Sequence, residues 1–244
     1  MKPYQTDEGK EGQVQRMFDG IAPHYDLLNR LLSLGIDRGW RRKAVRAVVR
    51  FLGVSSNSNI LDVATGTGDM AVALARAVPG SQVVGVDISE GMLEVGRKKV
   101  ARAGLSDRIT LSQGDTAGLG SDEQKFDAAT AAFGVRNFED LAAGIAGMHR
   151  ALRPGGMIAV LEFSTPRNRL FGAMYRLYFH RVLPLVGGWI SGDAKAYRYL
   201  PGSVDEFPAP PYFVALLEHT GFTDCRARSL TGGVAYLYTG IKKG

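Results

Sequence analysis

Residues 59–69 read NILDVATGTGD. Ile60, Leu61 and Val63 form a short apolar run of the kind that makes a strand buried on both faces of a parallel sheet. The run passes directly into a glycine-rich turn and then into a helical pattern. Gly66 and Gly68 let the backbone turn sharply and approach a bound molecule, while the first amides of the helix that follows stay available as donors. Asp62 falls near the carboxyl end of the strand, the edge at which open α/β sheets bind ligands. A second apolar strand, QVVGVD at residues 82–87, ends in an acid about 20 residues after the glycine loop, where a carboxylate can accept both ribose hydroxyls of a nucleoside. Gly66-x-Gly68-x-x-Ala71 also matches the dinucleotide fingerprint, so the loop alone does not separate a nicotinamide enzyme from other nucleoside binders.

Downstream, strand and helix patterns alternate, which predicts a parallel sheet with helices on both faces. Asp69–Val78 reads as the first crossover helix, stopped by Pro79-Gly80, and Ser89–Ala103 as the second, with Ser89 as N-cap and Gly104 as C-cap. Ile109–Gln113 and Phe126–Ala132 are strands, Glu139–Leu152 is a helix ended by Arg153-Pro154-Gly155-Gly156, and Met157–Phe163 is a fifth strand. The rhythm then breaks. Leu170–Ile190 is rich in aromatics, interleaved with arginines, and reads as an inserted helical cover over the ligand edge that could line a greasy pocket or rest on a membrane surface. Tyr212–Thr220 is a helix, with Ala209-Pro210-Pro211-Tyr212 read as a turn before it. Phe222–Leu230 and Val234–Ile241, joined by Thr231-Gly232-Gly233, read as a terminal antiparallel hairpin.

Upstream of the first strand, Met17, Phe18, Ile21, Tyr25, Leu28, Leu31 and Leu32 fall near helical spacing, with Pro23 opening a second helix, and Arg38–Leu52 forms a third. Arg41, Arg42, Lys43 and Arg46 read as its solvated face. His24, Tyr25, Asp26 and Asn29 crowd one turn among apolar neighbours and need partners where buried, as capping groups or as a substrate lid.

With 244 residues, 45% of them hydrophobic, the chain can build one domain with a complete core. Its single cysteine, Cys225, excludes an intrachain disulfide and reads as a packing residue. The polar start and the lack of a long apolar segment predict a cytoplasmic protein. Thirty basic against 24 acidic residues, net +6, is too mild an excess to argue for nucleic acid.

These blocks together resemble a class I S-adenosylmethionine-dependent methyltransferase, and more narrowly the ubiquinone/menaquinone biosynthesis C-methyltransferase family. The narrower resemblance rests on Met17-Phe18-Asp19, Tyr25-Asp26 with Asn29, Trp40-Arg41, LDVATGTGD, VDISEGML (86–93), FGVRN (133–137), RPGG (153–156), LEFS (161–164) and YRYLPGSV (197–204). It implies a Rossmann-like α/β fold with a mostly parallel seven-stranded sheet and an antiparallel terminal hairpin. It also implies one domain spanning 1–244, with residues 1–55 as a helical lid and 165–215 as an inserted substrate cover. The implied cofactor is S-adenosyl-L-methionine, bound by Asp62, Gly66, Thr67, Gly68, Asp87, Asp115 and Thr116, with no metal. Two positions depart from pattern: Ala132 stands where the family often has serine, and Ala64 where generic methyltransferases prefer glycine.

The implied reaction methylates a ring carbon of a reduced, polyprenylated demethylquinone, demethylmenaquinol before a benzoquinol precursor of ubiquinone. A sulfonium methyl is already activated, so the protein has mainly to align the reacting atoms, exclude water and supply a base or a cation for the phenolate. Arg136 and Asn137, after the fourth strand, and Tyr25 and Asp26, from the N-terminal helices, are the candidates for that chemistry; His24 and His180 are alternative proton acceptors. A homodimer and peripheral contact at the inner membrane face are both compatible with this reading. The rival readings are a nicotinamide oxidoreductase, a nucleic-acid methyltransferase and a non-enzymatic binding module. The helical prelude, Asp115-Thr116 and the hairpin argue against the first. The place after strand four, where amino-directed nucleic-acid enzymes carry Asn/Asp-Pro-Pro-aromatic, holds FGVRN and argues against the second.

Overall fold

The computed structural model describes residues 1–4, 6–33, 35–53, 57–115, 125–166, 168, 172, 177, 181 and 194–244. Thr116, His180 and nearly all of Leu170–Ile190 lie outside those residues.

Three helices precede the sheet: α1 (Lys10–Ile21), then, after a 3-10 turn at Ala22–His24, α2 (Tyr25–Leu32) and α3 (Ile36–Leu52). The alternating part consists of β1 (Asn59–Val63), α4 (Asp69–Ala77), β2 (Gln82–Asp87), α5 (Glu90–Arg102), β3 (Ile109–Gln113), β4 (Phe126–Ala132), α6 (Leu141–Ala151) and β5 (Leu152–Phe163). Two helices, α7 (Ala194–Glu206) and α8 (Pro210–His219), lead to the hairpin β6 (Phe222–Leu230) and β7 (Ala235–Lys242).

The strands form one seven-stranded sheet in the order β3-β2-β1-β4-β5-β7-β6. β1 to β5 are parallel, and β7 enters antiparallel between β5 and β6. Strand order reverses beside β1, so the crevice between the carboxyl ends of β1 and β4 is the topological switch point. Side chains alternate between two cores. Ile60, Val83, Ala128 and Ala159 face α3, α4 and α5, while Leu61, Ala129, Ile158 and Val160 face α6 and α8. Each fully buried Leu or Ile among them contributes about 2 kcal/mol. Burial on both sides is why the central strands read as continuous apolar runs.

Three of the boundaries that differ from the sequence reading do so for a clear local reason. β5 begins at Leu152, because Phe126 pairs with Leu152 and the ladder then takes a bulge through Gly155, at φ +78°, instead of starting after a loop. α6 starts only at Leu141, where the Asp140 side chain accepts from the Ala143 amide at 2.9 Å. Pro210 and Pro211 open α8 as first-turn residues and are not a separate turn.

The N-terminal helices close over the carboxyl edge. Val14, Met17, Ile21 and Ala22 pack with Met92 of α5 and with Tyr199 and Val204 of α7. Polar tethers fix these helices in place. Asp19 accepts from the Ser89 hydroxyl at 2.6 Å and the Gly91 amide at 2.9 Å, and Lys10 donates to the Phe138 carbonyl at 2.6 Å.

Candidate active site

Two cavities meet beneath the N-terminal helices. The larger, about 160 Å³, lies at the switch point and is lined by the carboxyl ends of four strands: Val63, Ala64 and Gly66 after β1, Asp87 and Ile88 at β2, Gly114 and Asp115 after β3, and Ala132, Phe133 and Gly134 at β4. Its backbone is held in unusual conformations. Gly66 sits at φ +54°, as its residue type allows, but Ala64 at φ +50° and Phe133 at φ +62° are also left-handed, each at about 1–2 kcal/mol. The two strained turns abut: a Cβ on Gly134 would overlap Ala64 Cβ, so only glycine lets the two loops approach this closely.

Asp87 organises the loop. One carboxylate oxygen accepts from the Gly66 amide at 2.7 Å and the other from the Ser89 amide at 2.9 Å. Burial raises its pKa, while the Ser89 and Gly66 amides pull against that rise. Asp62 lies below the cavity floor, 1% exposed, accepting from the hydroxyls of Thr65 at 2.6 Å and Thr130 at 2.7 Å. Desolvation pushes it up to about 6 despite both hydroxyls. Between about pH 4 and 6 the folded state therefore holds a proton the unfolded chain has lost, and stability falls as pH rises, by about 3 kcal/mol from this group. Asp62→Asn is expected to remove that slope, because the threonine hydroxyls can rotate to serve an amide. Urea midpoints across this range measure it, and equal slopes for variant and wild type would contradict the assignment.

The second cavity, about 50 Å³, shares Phe18, Tyr25 and Phe133 with the first. Its walls are Met17, Ile21, Phe163, Tyr199 and Leu200, and its polar groups include Asn29, Ser33, Asp37, Arg41 and Arg136. Phe133 and Phe163 pack at 4.4 Å between centroids and Trp40 closes on both, its indole donating to the Thr231 hydroxyl at 2.8 Å.

Within this frame the expected residues separate. Gly66, Asp87 and Asp115 line the first cavity. Gly68 and Thr67 do not. Thr67 is turned toward the lid, donating to Asp26 at 2.6 Å and accepting from Lys99 at 2.9 Å. Asp26 is likewise tied off, paired with Lys99 at 2.6 Å, and acts as a latch between α2 and the glycine loop. Tyr25 stands at the seam of both cavities, and burial raises its pKa despite hydrogen bonding to Asn29 and the charges of Arg136 and Arg41. Asn137 lines the first cavity at 9% exposure, with its Oδ1 lacking a partner. Arg136 lines the second, its guanidinium 2.7 Å from Glu162 and 5.5 Å from the Phe163 ring centroid.

Three groups escaped the sequence reading. Asp37, 6% exposed, is the one carboxylate lining the second cavity among the described residues; it accepts from Ser33 at 2.7 Å and pairs with Arg41 at 2.6 Å. Arg41 leaves the solvated face assigned to it and turns inward, also reaching Asp69 at 3.4 Å. Tyr199 presents a buried hydroxyl with no partner and is pushed up to about 12 by desolvation. Only an acid at the first turn of α3 and a tyrosine in YRYL hinted at them.

The model of the ubiE/COQ5 methyltransferase family matches residues 6–242. The chain belongs to that family. Among its curated relatives, a ubiquinone/menaquinone biosynthesis C-methyltransferase of Geobacter sulfurreducens is 48% identical over 238 residues, covering 97% of this chain and 90% of that one. A demethylmenaquinone methyltransferase of Bacteroides fragilis is 44% identical over 242 residues, covering 99% and 97%. The fold is shared with an S-adenosylmethionine-dependent methyltransferase from Aquifex aeolicus, at TM-score 0.56 and 16% identity over 81% of this chain and 88% of that one.

The first cavity fits the S-adenosylmethionine that this membership implies. The Asp87 carboxylate lies in the wall of that cavity, where it can accept a ribose hydroxyl, and the unpartnered Asn137 Oδ1 is an acceptor for a donor in the ligand.

Proposed function

We propose that this methyltransferase adds a methyl group to a ring carbon of a reduced demethylquinone bearing an isoprenoid tail, with demethylmenaquinol as the acceptor. The observation that carries the reading is the junction of two unlike cavities at Phe18, Tyr25 and Phe133, one built for a nucleoside and one aromatic with two arginines. When bound, S-adenosylmethionine supplies a methyl group on a sulfonium, already electrophilic.

The second cavity then has to make a carbon nucleophilic. Phe163, Phe133 and Phe18 hold a flat ring and keep water away. Arg41 and Arg136 stabilise the negative charge that spreads onto the ring as a quinol hydroxyl loses its proton. Asp37 takes that proton at its carboxylate and returns it to the oxygen once the methylated carbon has shed its ring hydrogen as a proton to solvent, which restores the aromatic quinol, and the Tyr199 hydroxyl donates to a quinol oxygen. Tyr25, kept protonated by its raised pKa, orients the ring at the seam. Residues 1–55 act as a lid, and Tyr199 and Leu200, from the described part of 165–215, cover the acceptor side.

No helix among the described residues is long and apolar enough to cross a membrane. The second reading, a benzoquinol intermediate of ubiquinone biosynthesis, is favoured by the double name of the Geobacter relative. Transfer of labelled methyl is to be measured with reduced demethylmenaquinone, a reduced demethoxy-type ubiquinone precursor and bulk tRNA as parallel acceptors. Label is expected in the naphthoquinol. Label in the benzoquinol alone would move the substrate, and label in RNA would overturn the acceptor assignment.

A further inference from the structure

On the far side of Arg41 from the acceptor cavity lies a third, more open cleft of about 440 Å³, formed by α2, α3, α4 and α5. Arg30, Arg38, Arg41, Arg42, Arg76, Lys99 and Arg102 line it, with Asp69 as its one carboxylate. Arg41 and Lys99 are occupied by Asp69, Asp37 and Asp26. Arg30, Arg38, Arg42, Arg76 and Arg102 are exposed and make no ion pair among the described residues. Five exposed guanidiniums around one cleft repel one another unless an anion is present, and guanidinium geometry suits phosphate oxygens.

Two further observations identify the anion. Leu27 and Ile36, on the helices that carry Arg30 and Arg38, are exposed at 53% and 42%, and Leu27 neighbours Arg30 on the surface of α2. Exposed apolar side chains beside cations fit a lipid surface better than a soluble polyanion. The cleft also shares Arg41 with the acceptor cavity, so whatever it docks lies beside that cavity.

We propose that this arginine cleft, with Leu27 and Ile36, docks the enzyme on an anionic phospholipid surface, its guanidiniums on the lipid phosphates and the acceptor cavity turned toward the bilayer. The orientation part rests on the quinol reading above. The docking itself does not. Its charges act within a Debye length of the surface, so the contact weakens as salt rises.

The test is flotation of the full chain with phosphatidylcholine vesicles, with and without phosphatidylglycerol, at low and high salt. The wild type is expected to float with the anionic vesicles only, and less as salt rises. Neutralising three exposed arginines, R38Q/R42Q/R76Q, is expected to lower partitioning by about a hundredfold. These residues lie outside both cavities, so methyl transfer to a tail-less demethylnaphthoquinol in solution should be unchanged, while transfer to vesicle-embedded demethylmenaquinol falls with partitioning. Flotation that ignores lipid charge, or a triple variant that floats like the wild type, would overturn the proposal. Retention on heparin without vesicle binding would overturn it in favour of a soluble polyanion. Loss of transfer to the tail-less quinol by every form, with flotation as expected, would instead overturn the substrate reading and leave the docking surface standing.

Discussion

Replacing Asp87 with alanine is expected to weaken S-adenosylmethionine binding by a factor of about 100 to 1,000, with little effect on turnover at saturating cofactor. The carboxylate does two jobs at once. Its oxygens hold the Gly66 and Ser89 amides, which fixes the glycine loop against the start of α5, and the carboxylate lines the larger cavity. Hydrogen bonds to a charged acceptor contribute about 1.5–3 kcal/mol each, so losing two to a ribose accounts for the expected range. Asp87→Asn is not a mild change here. Its NH2 must face one of the two amides, donor against donor, and the expected loss approaches that of alanine. Because burial raises the pKa of Asp87, affinity should fall on acidification at a higher pH than an ordinary aspartate would dictate. Calorimetric titration of the three forms decides the matter. An asparagine variant that binds like the wild type would show that the two-amide arrangement does not govern affinity.

That Asp87 could be placed at the ligand edge from sequence, and Asp37 at the second cavity could not, has a physical basis. Asp87 is fixed by local geometry, a strand of known length after a glycine loop, and the whole construction lies within about one βαβ unit. The same locality made β2 and β4 legible to the residue, since strands inside a parallel sheet leave near-continuous apolar runs. Asp26 looked like a free catalytic acid because its partners, Thr67 and Lys99, come from 41 and 73 positions downstream, brought back only by the closure of α2 over the sheet. Arg41 belonged by composition to a solvated run, and only the packing of α3 turned it inward. α7 was hidden by Pro201 inside it, a residue whose local preference opposes a helix and which yields here to packing of Tyr199 and Val204 against α1.

The Arg136–Glu162 pair gives the second large effect, and it separates structural from chemical roles. Glu162 is fully buried and receives the Arg136 guanidinium at 2.7 Å, the Arg136 amide at 3.3 Å and the Phe163 amide at 2.8 Å. The guanidinium also donates to the Phe133 carbonyl and, at 3.3 Å, to the Ser203 hydroxyl, so it binds β4, β5 and α7 together at the acceptor cavity. Arg136→Ala leaves an uncompensated carboxylate in the interior and is expected to cost about 3–5 kcal/mol of stability. A drop in activity from that variant alone would therefore say nothing about chemistry. The informative form is Arg136→Met with Glu162→Gln, which removes both charges and keeps an acceptor for the two amides. It is expected to recover most of the lost stability, because replacing a buried pair by uncharged groups of similar volume is often nearly neutral. Turnover should nevertheless stay down by about 100-fold to 1,000-fold, since a cation that stabilises developing negative charge has been lost from a cavity that excludes water. Denaturant midpoints and single-turnover methyl transfer, measured on the same preparations, read the two effects independently. If the double variant regained wild-type turnover along with its stability, Arg136 would be a brace for the cavity wall, and the charge on the ring would have to be met by Arg41.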